Sequence, residues 1–165
     1  MESGPIVSRR PLGSTPIAVS AVALGCWPIA GLTSLDVNDA DSVATIRACF
    51  DVGINFLDTA YCYGRDGESE RLIAEAIGAH RDEFVIASKG GIHWDTAGNR
   101  QFDARPETLR RECEESLRRL RTDRLDLYYL HAPDPEIPIE GSAQVLRELL
   151  DSGKIRAVGV SNVNL

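Results

Sequence analysis

Residues 53–64 read GINFLDTAYCYG, and this stretch decides how the chain folds. It starts as a short, mostly apolar run, which is typical of a buried strand. The run ends on Asp58, and a turn with two tyrosines and a glycine follows. In a strand, Ile54, Phe56 and Asp58 share one face. A carboxylate at the end of a buried strand is costly unless something pairs with it, so the rest of the chain is searched for that partner.

Strand-like and helix-like segments alternate on both sides of this stretch. The predicted strands cover residues 22–25, 54–58, 84–88, 125–130 and 157–160, and amphipathic helices begin near Asp39, Ser69, Pro106 and Ser142. Apolar strands between amphipathic helices predict a parallel sheet that is covered by helices. The units repeat every 30 to 40 residues or so, roughly as in an eightfold barrel. We therefore predict an α/β fold, a partial (β/α)8 TIM barrel with parallel strands and an N-terminal hairpin around residues 11–14.

A doubly wound open sheet is the competing architecture. Its first strand usually leads into the phosphate-binding pattern G-x-G-x-x-G. Here the first turn reads Gly25-Cys26-Trp27-Pro28, with a single glycine, so this pattern is absent. Residues 92–105 are polar and are predicted to form a long loop. No linker divides the chain, and we expect residues 1–165 to be a single domain.

Composition limits the kinds of partner. The chain has 165 residues, a net charge of −7 and 43% hydrophobic residues, which is typical of a soluble globular domain. The negative charge argues against nucleic-acid and membrane-surface binding, since both need basic patches. Four scattered cysteines without a C-x-x-C pair, and no signal peptide, predict buried thiols in the cytoplasm. The histidines His80, His93 and His131 have no paired spacing, so a metal-dependent hydrolase is disfavoured and no metal site is predicted.

Chemically active side chains lie at or near the ends of successive predicted strands, where barrels carry their chemistry. They are Asp58 with Tyr63 beyond it, then Lys89, His131 and the pair Ser161-Asn162. Strand parity allows Asp58, Lys89 and His131 to point into one mouth. A nearby ammonium lowers the pKa of a phenol from its usual value of about 10, so Lys89, held by Asp58, can activate Tyr63. His131 can hydrogen-bond a carbonyl oxygen, and the set suits protonation of that oxygen as hydride reaches its carbon.

Each of these residues also has a plain structural interpretation. Asp58 alone could cap a loop, and Lys89 alone is usually a solvated surface residue. His131 could be a satisfied structural histidine, and Tyr63 could pack a loop. The four suitable residue types at consecutive strand ends favour the functional interpretation.

At this point the sequence resembles the aldo-keto reductase family. The segments that carry the resemblance are DTAYCYG with Ser69-Glu70, ASK at residues 87–89, DLYYLH at residues 126–131 and GKIRAVGVSN at residues 153–162. The resemblance implies that Tyr63 is the general acid, that Lys89 and Asp58 are its tuning pair, and that His131 orients the carbonyl.

The same resemblance implies a cofactor and a pocket. The cofactor is NADPH, or less often NADH, with Ser161 and Asn162 on the nicotinamide carboxamide and Asp58 also next to the cofactor. Trp27 and Trp94 are expected to line the substrate pocket, although core packing is the alternative for both. The expected function is reduction of a small-molecule carbonyl compound, or oxidation of the alcohol, by hydride transfer.

A full member of that family has eight strands, whereas five are predicted here. We therefore expect residues 1–165 to be the N-terminal part of such a barrel, with the C-terminal units missing. Strands without a neighbour favour self-association through their exposed edges. The alternative function is a truncated, inactive aldo-keto reductase-like chain that serves as a binding or assembly module.

Overall fold

The computed structural model describes residues 7–33 and 36–164. The chain begins with an antiparallel hairpin of β1 (Arg9–Pro11) and β2 (Ala18–Ser20). The amide of Leu12 donates to the carbonyl of Ile17 at 2.8 Å and closes the turn. The predicted N-terminal hairpin is therefore confirmed.

Five strands then form one parallel sheet. They are β3 (Ala23–Gly25), β4 (Phe56–Asp58), β5 (Val85–Gly90), β8 (Leu127–Leu130) and β9 (Val158–Val160). Their order across the sheet follows their order along the chain. An open doubly wound sheet reverses its strand order at a switch point, and these five strands show no such reversal.

Four helices connect the strands. They are α1 (Asp39–Asp51), α2 (Glu68–Ile77), α3 (Pro106–Leu120) and α4 (Ile139–Asp151). Short 3₁₀ turns at Pro28–Ala30 and Gly78–Glu83 complete the connections. Asn38 caps α1, because its side-chain oxygen accepts a hydrogen bond from the amide of Asp41 at 2.9 Å. Within the described residues, no helix has both the length and the apolar character that crossing a bilayer requires.

The two faces of the sheet bury different sets of residues. One face packs on the helices through fully buried side chains such as Leu57, Ile86 and Tyr128. The opposite face carries Phe56, Ala87 and Leu127, and the N-terminal hairpin packs on it through Ile17 and Val19. Because side chains alternate along a strand, Asp58 and Lys89 belong to this second face.

The segment after β5 differs from the prediction. Residues 92–105, predicted as a long loop, contain a second antiparallel hairpin of β6 (Ile92–Trp94) and β7 (Arg100–Phe102). Its turn is held by Asp95, whose carboxylate accepts the amides of Ala97 and Asn99 at 2.9 and 2.8 Å. Strands of three residues give too short an alternation to be recognised in a polar sequence. The hairpin brings Trp94 next to the loop that follows β4.

Candidate active site

The ends of β4 and β5 bring Asp58 and Lys89 into contact. Lys89 lies on the same face as Asp58, two residues beyond Ala87, the residue that pairs with Asp58 across the sheet. Its side chain is 8% exposed, and its ammonium donates to Asp58 Oδ1 and to the carbonyl of Thr59, the latter at 2.8 Å. Lys89 is therefore the ion-pair partner of the Asp58 carboxylate at the end of β4.

Tyr63 is the third group that Lys89 contacts. The ammonium lies 3.2 Å from the Tyr63 hydroxyl oxygen. An ammonium has three protons to donate and accepts none, so the hydroxyl accepts this bond. The three donors of Lys89 are then used by Asp58, Thr59 and Tyr63, while the hydroxyl proton of Tyr63 is left for another acceptor.

The loop that carries Tyr63 is held to β5 by its backbone. The amide of Tyr61 donates to the carbonyl of Lys89 at 3.0 Å, and the amide of Tyr63 donates to that of Ala60 at 3.0 Å. Gly64 follows with a φ of +94°, a conformation that residues with a side chain rarely adopt. This turn is why two residues five positions apart, Asp58 and Tyr63, both reach Lys89.

The charge of Lys89 is stabilised despite its burial. Burial alone lowers the pKa of Lys89, but the Asp58 carboxylate and Tyr63 raise it, and the net result lies above the usual value. Lys89 is therefore an ammonium at neutral pH, in a largely dehydrated position. A fixed cation beside the Tyr63 oxygen stabilises a negative charge that develops there.

His131 follows β8 and completes the group. Its amide donates to the carbonyl of Gly90 at 2.9 Å, and its ring lies edge-on to Tyr63, with 6.0 Å between ring centroids. Burial, and then the positive charges of Lys89 and Arg100, lower the pKa of His131 to about 4. The imidazole is therefore neutral at pH 7 and has one N–H donor and one acceptor nitrogen.

Both tryptophans contact the loop that carries Tyr63. The Trp27 ring meets Tyr63 edge-on at 5.1 Å between ring centroids. The indole N–H of Trp94 donates to the carbonyl of Cys62 at 2.9 Å. Both tryptophans are only partly buried, so neither is enclosed in the core.

Ser161 and Asn162 follow β9 at the same end of the sheet. The Asn162 amide nitrogen donates to the carbonyl of His131 at 2.8 Å and to Ser161 Oγ at 3.1 Å. This leaves the Asn162 Oδ1 atom and the Ser161 hydroxyl proton without partners among the described residues. A carboxamide needs one acceptor for its NH₂ group and one donor for its oxygen. The residues present thus fit the carboxamide of a nicotinamide.

The geometry adds two groups that the sequence did not single out. The carbonyl of Thr59 takes one of the three donors of Lys89, and the thiol of Cys62 lies 3.6 Å from His131 Nδ1. A backbone carbonyl leaves no trace in residue identity, so Thr59 could not have been found. Cys62 sits between two tyrosines of the motif, and only its position next to Tyr63 could have drawn attention to it. Within the described residues, no three metal-binding side chains cluster.

Comparison with known proteins relates the chain to one family. The profile of the aldo/keto reductase family matches residues 21–165. The aldo-keto reductase YhdN of Bacillus subtilis is 42% identical over 157 residues, which are 93% of this chain and 46% of that protein. The 6-dehydroglucose reductase of Novosphingobium aromaticivorans is 39% identical over 163 residues, 93% of this chain and 51% of that protein. The chain spans about half the length of these curated relatives.

Solved structures show the same relationship. The glycerol dehydrogenase of Gluconobacter oxydans superposes with a TM-score of 0.83 at 40% identity, over 94% of this chain and 48% of that one. An aldo-keto reductase of Bacillus halodurans superposes with a TM-score of 0.85 at 29% identity, over 95% of this chain and 51% of that one. The predicted fold, a partial (β/α)8 barrel, is thereby confirmed. On the match of its profile to residues 21–165, the chain belongs to the aldo/keto reductase family.

Proposed function

We propose that this site transfers hydride between a nicotinamide cofactor and a small carbonyl compound or the corresponding alcohol. The observation that carries the proposal is that the Lys89 ammonium donates all of its protons to hydrogen bonds within the protein. All three are donated to Asp58, the Thr59 carbonyl and the Tyr63 hydroxyl, so the Tyr63 proton remains for a substrate oxygen. A lysine with a purely structural role would not require a neighbouring tyrosine hydroxyl whose own proton stays unused.

Each residue then has a defined task. When bound, a reduced nicotinamide would supply the hydride that the carbonyl carbon accepts. Tyr63 gives its proton to the carbonyl oxygen, and Lys89, held in place by Asp58, stabilises the phenolate that remains. Neutral His131 donates a hydrogen bond to the same oxygen and fixes its direction. In alcohol oxidation the same steps run in reverse.

Ser161 and Asn162 are proposed to hold the carboxamide end of the cofactor, and Asp58 to lie next to it. NADPH is the expected cofactor, with NADH second, on the strength of family membership. Trp27 and Trp94 are proposed to line the substrate pocket, because both rings flank the loop that carries Tyr63. Aldehydes, ketones and sugars all present the carbonyl that this arrangement can protonate.

The proposal is tested first by cofactor binding. The purified chain is titrated with NADPH and with NADH while nicotinamide fluorescence is followed, and an aromatic aldehyde is then added to look for NADPH oxidation. We expect saturable binding and turnover, both weakened in Ser161→Ala/Asn162→Ala. A chain that is shown to be folded by near-UV circular dichroism, yet binds neither cofactor, would argue against the assignment.

An assembly role is the second candidate, and the exposed edge of β9 favours it. Val158 and Val160 are 47% and 52% exposed, and β3 and β9 end the sheet. We propose that residues 1–165 act as the N-terminal part of a barrel whose open edges favour association. Light scattering across a range of protein concentrations tests this proposal. If the chain is monomeric at all concentrations and turns over substrate, the assembly role is wrong and only the oxidoreductase role remains.

A further inference from the structure

A buried thiol faces the histidine of the candidate site. Cys62 is 1% exposed, and its sulfur lies 3.6 Å from His131 Nδ1. Of the thiols that the structure describes, this is the only one whose hydrogen-bond partner is a histidine. The pair lies directly beside Tyr63, which follows Cys62 in the chain.

The direction of this hydrogen bond follows from the chemistry of the two groups. Burial raises the pKa of Cys62 to about 11, so the sulfur keeps its proton at neutral pH. His131 is neutral there, and a pyridine-type ring nitrogen is a good acceptor, whereas a thiol sulfur is a weak one. Nδ1 is also the only hydrogen-bond partner of this thiol among the described residues. The S–H group therefore donates to Nδ1.

This direction leaves the ring proton on Nε2. That nitrogen has no hydrogen-bond partner among the described residues. The Nε2 atom is not fully buried either. Among the described residues, Ser116 Oγ is the only buried side-chain nitrogen or oxygen atom without a hydrogen-bond partner, so an unpartnered Nε2 must be accessible. The Nε2–H group is thus available at the mouth of the site, on the ring that meets Tyr63 edge-on.

Neighbouring contacts keep the thiol in place. The carbonyl of Cys62 accepts the indole N–H of Trp94, and the Cys62 side chain is clustered with Ala60, Ile92 and Ala132. A side chain held in this way has little freedom to turn away from Nδ1.

We propose that Cys62 is a positioning residue whose thiol proton holds His131 in the tautomer with its proton on Nε2, so that the imidazole can only donate toward the substrate oxygen. The tautomer itself follows from the Cys62–His131 contact. Its value for catalysis rests on the proposed function. In the other tautomer, Nε2 would present a lone pair to the carbonyl oxygen and repel it.

Nitrogen NMR of the ¹⁵N-labelled chain at pH 7 tests the tautomer without any need for turnover. Among its three histidines, His131 is assigned by the loss of its signals in His131→Gln. We expect a pyrrole-type shift at Nε2 and a pyridine-type shift at Nδ1. A pyrrole-type shift at Nδ1 in the unmodified chain would overturn the proposal, whatever the variants do.

Two substitutions separate the hydrogen bond from packing. Cys62→Ala removes the donor, and we expect the two nitrogen shifts to move toward each other as the second tautomer becomes populated. Cys62→Ser keeps a donor of similar size and should retain the original tautomer. Cys113→Ala, at a buried thiol of α3, is the matched control for lost core volume and should not change His131. Unchanged His131 shifts in Cys62→Ala would also overturn the proposal.

Activity supplies the second readout. A neutral hydrogen bond of about 1 kcal/mol corresponds to about a fivefold change, so kcat should fall about two- to tenfold in Cys62→Ala and recover in Cys62→Ser. If no variant turns over any aldehyde but the shifts behave as expected, the proposed function fails and the tautomer assignment stands. If turnover is present but insensitive to Cys62→Ala, the positioning role is wrong.

Discussion

Ser88 and Lys89 are neighbours on β5, yet their side chains enter two very different polar clusters on opposite faces of the sheet. Lys89 joins Asp58, Tyr63 and His131 in what we call the open cluster. Ser88 joins Glu70 and Arg119 in what we call the closed cluster. Both clusters contain a buried or nearly buried charge, so burial alone does not tell a functional site from a structural one.

The closed cluster uses its charges internally. Glu70 is fully buried, with one carboxylate oxygen accepting from Ser88 at 2.8 Å and the other from Arg119 at 3.3 Å. Arg119 also donates to the Tyr61 carbonyl at 3.1 Å and stacks on the Tyr61 ring. Burial raises the pKa of Glu70, although Ser116, Ser88 and Arg119 oppose the rise. The cluster ties α2, α3 and β5 together, and the donors of Ser88 and Arg119 named here all bond to groups of the protein.

The open cluster leaves part of its hydrogen-bonding capacity unused. The Asp58 side chain is 40% exposed, the Tyr63 hydroxyl keeps its proton for an outside acceptor, and His131 Nε2 has no partner among the described residues. We conclude that a charged cluster is structural when its hydrogen-bond donors all bond to other protein groups. A charged cluster is a candidate site when it keeps a donor free at an accessible surface.

The largest expected effect comes from removing that aimed donor. Tyr63→Phe deletes the proposed acid while keeping the ring, so we expect kcat/KM for an aromatic aldehyde to fall about a thousandfold, or about 4 kcal/mol, with little change in stability. Tyr61→Phe, on the same loop, is the matched control and should retain activity. Full activity in Tyr63→Phe would contradict the assigned role.

Breaking the closed cluster should cost stability. Arg119→Met leaves the Glu70 carboxylate buried without its cation, and we expect the free energy of unfolding in urea to fall by about 3 kcal/mol. Glu70→Gln/Arg119→Met removes both charges and should recover most of that loss. A double variant no more stable than Arg119→Met would show that packing of the long side chain dominates.

Glu112 is a further buried carboxyl group that tests the comparison between the two clusters. It accepts a hydrogen bond from the Gly91 amide at 2.7 Å and lies 3.0 Å from His93 Nδ1. A charged pair would raise the pKa of His93, but burial lowers it, and burial raises the pKa of Glu112 to about 8. Both directions favour a neutral pair in which the protonated carboxyl donates to Nδ1. Among the described residues, Arg111 is the cation in contact with Glu112, at 3.8 Å, and its side chain is largely exposed, so this buried acid is not paired with a dehydrated cation.

The raised pKa of Glu112 determines how the stability of the fold changes with pH. The pKa of an unfolded glutamate is near 4.5, whereas burial raises the pKa of folded Glu112 to about 8. Between these values the folded protein holds a proton that the unfolded chain has lost, so raising the pH destabilises the fold. Glu112→Gln mimics the protonated acid, so between pH 5 and pH 7.5 we expect its free energy of unfolding to rise by about 3 kcal/mol relative to that of the unmodified chain.

Urea unfolding at several pH values measures this gain. Glu107→Gln, at an exposed position of the same helix, is the control and should show no such trend. Parallel pH profiles for Glu112→Gln and the unmodified chain would mean that Glu112 is ionised in the folded state.

The smallest expected effect concerns Ser116, a residue of α3 that packs at the closed cluster. Its hydroxyl is buried and makes no bond of regular hydrogen-bond geometry among the described residues, although it lies close enough to Glu70 to lower the pKa of that carboxyl. Removing an unpaired buried hydroxyl costs no hydrogen bond, so Ser116→Ala should change the free energy of unfolding by less than about 0.5 kcal/mol. A loss of 1 kcal/mol or more would indicate that Ser116 donates to Glu70 and belongs to the closed cluster.

Much of this organisation was predictable. The alternation of apolar strands and amphipathic helices predicted the parallel sheet and the four helices, because burial on both sides imposes continuous apolar runs on such strands. Parity along β4 and β5 placed Asp58 and Lys89 on one face, as the structure has them. The hairpin of β6 and β7 was missed, because Asp95 side-chain bonds define it more than hydrophobic periodicity does.

Residue identities and their order along the chain were sufficient for the fold class and for the set of side chains at the strand ends, since both follow from local periodicity. Which of those side chains meet depended on the tertiary structure. The turn at Gly64 brings Tyr63 back to Lys89, the Thr59 carbonyl accepts a hydrogen bond from the Lys89 ammonium, and the Cys62 thiol lies next to His131 Nδ1. These contacts join residues that are 26 to 69 positions apart, and the folded backbone sets their distances while residue type does not.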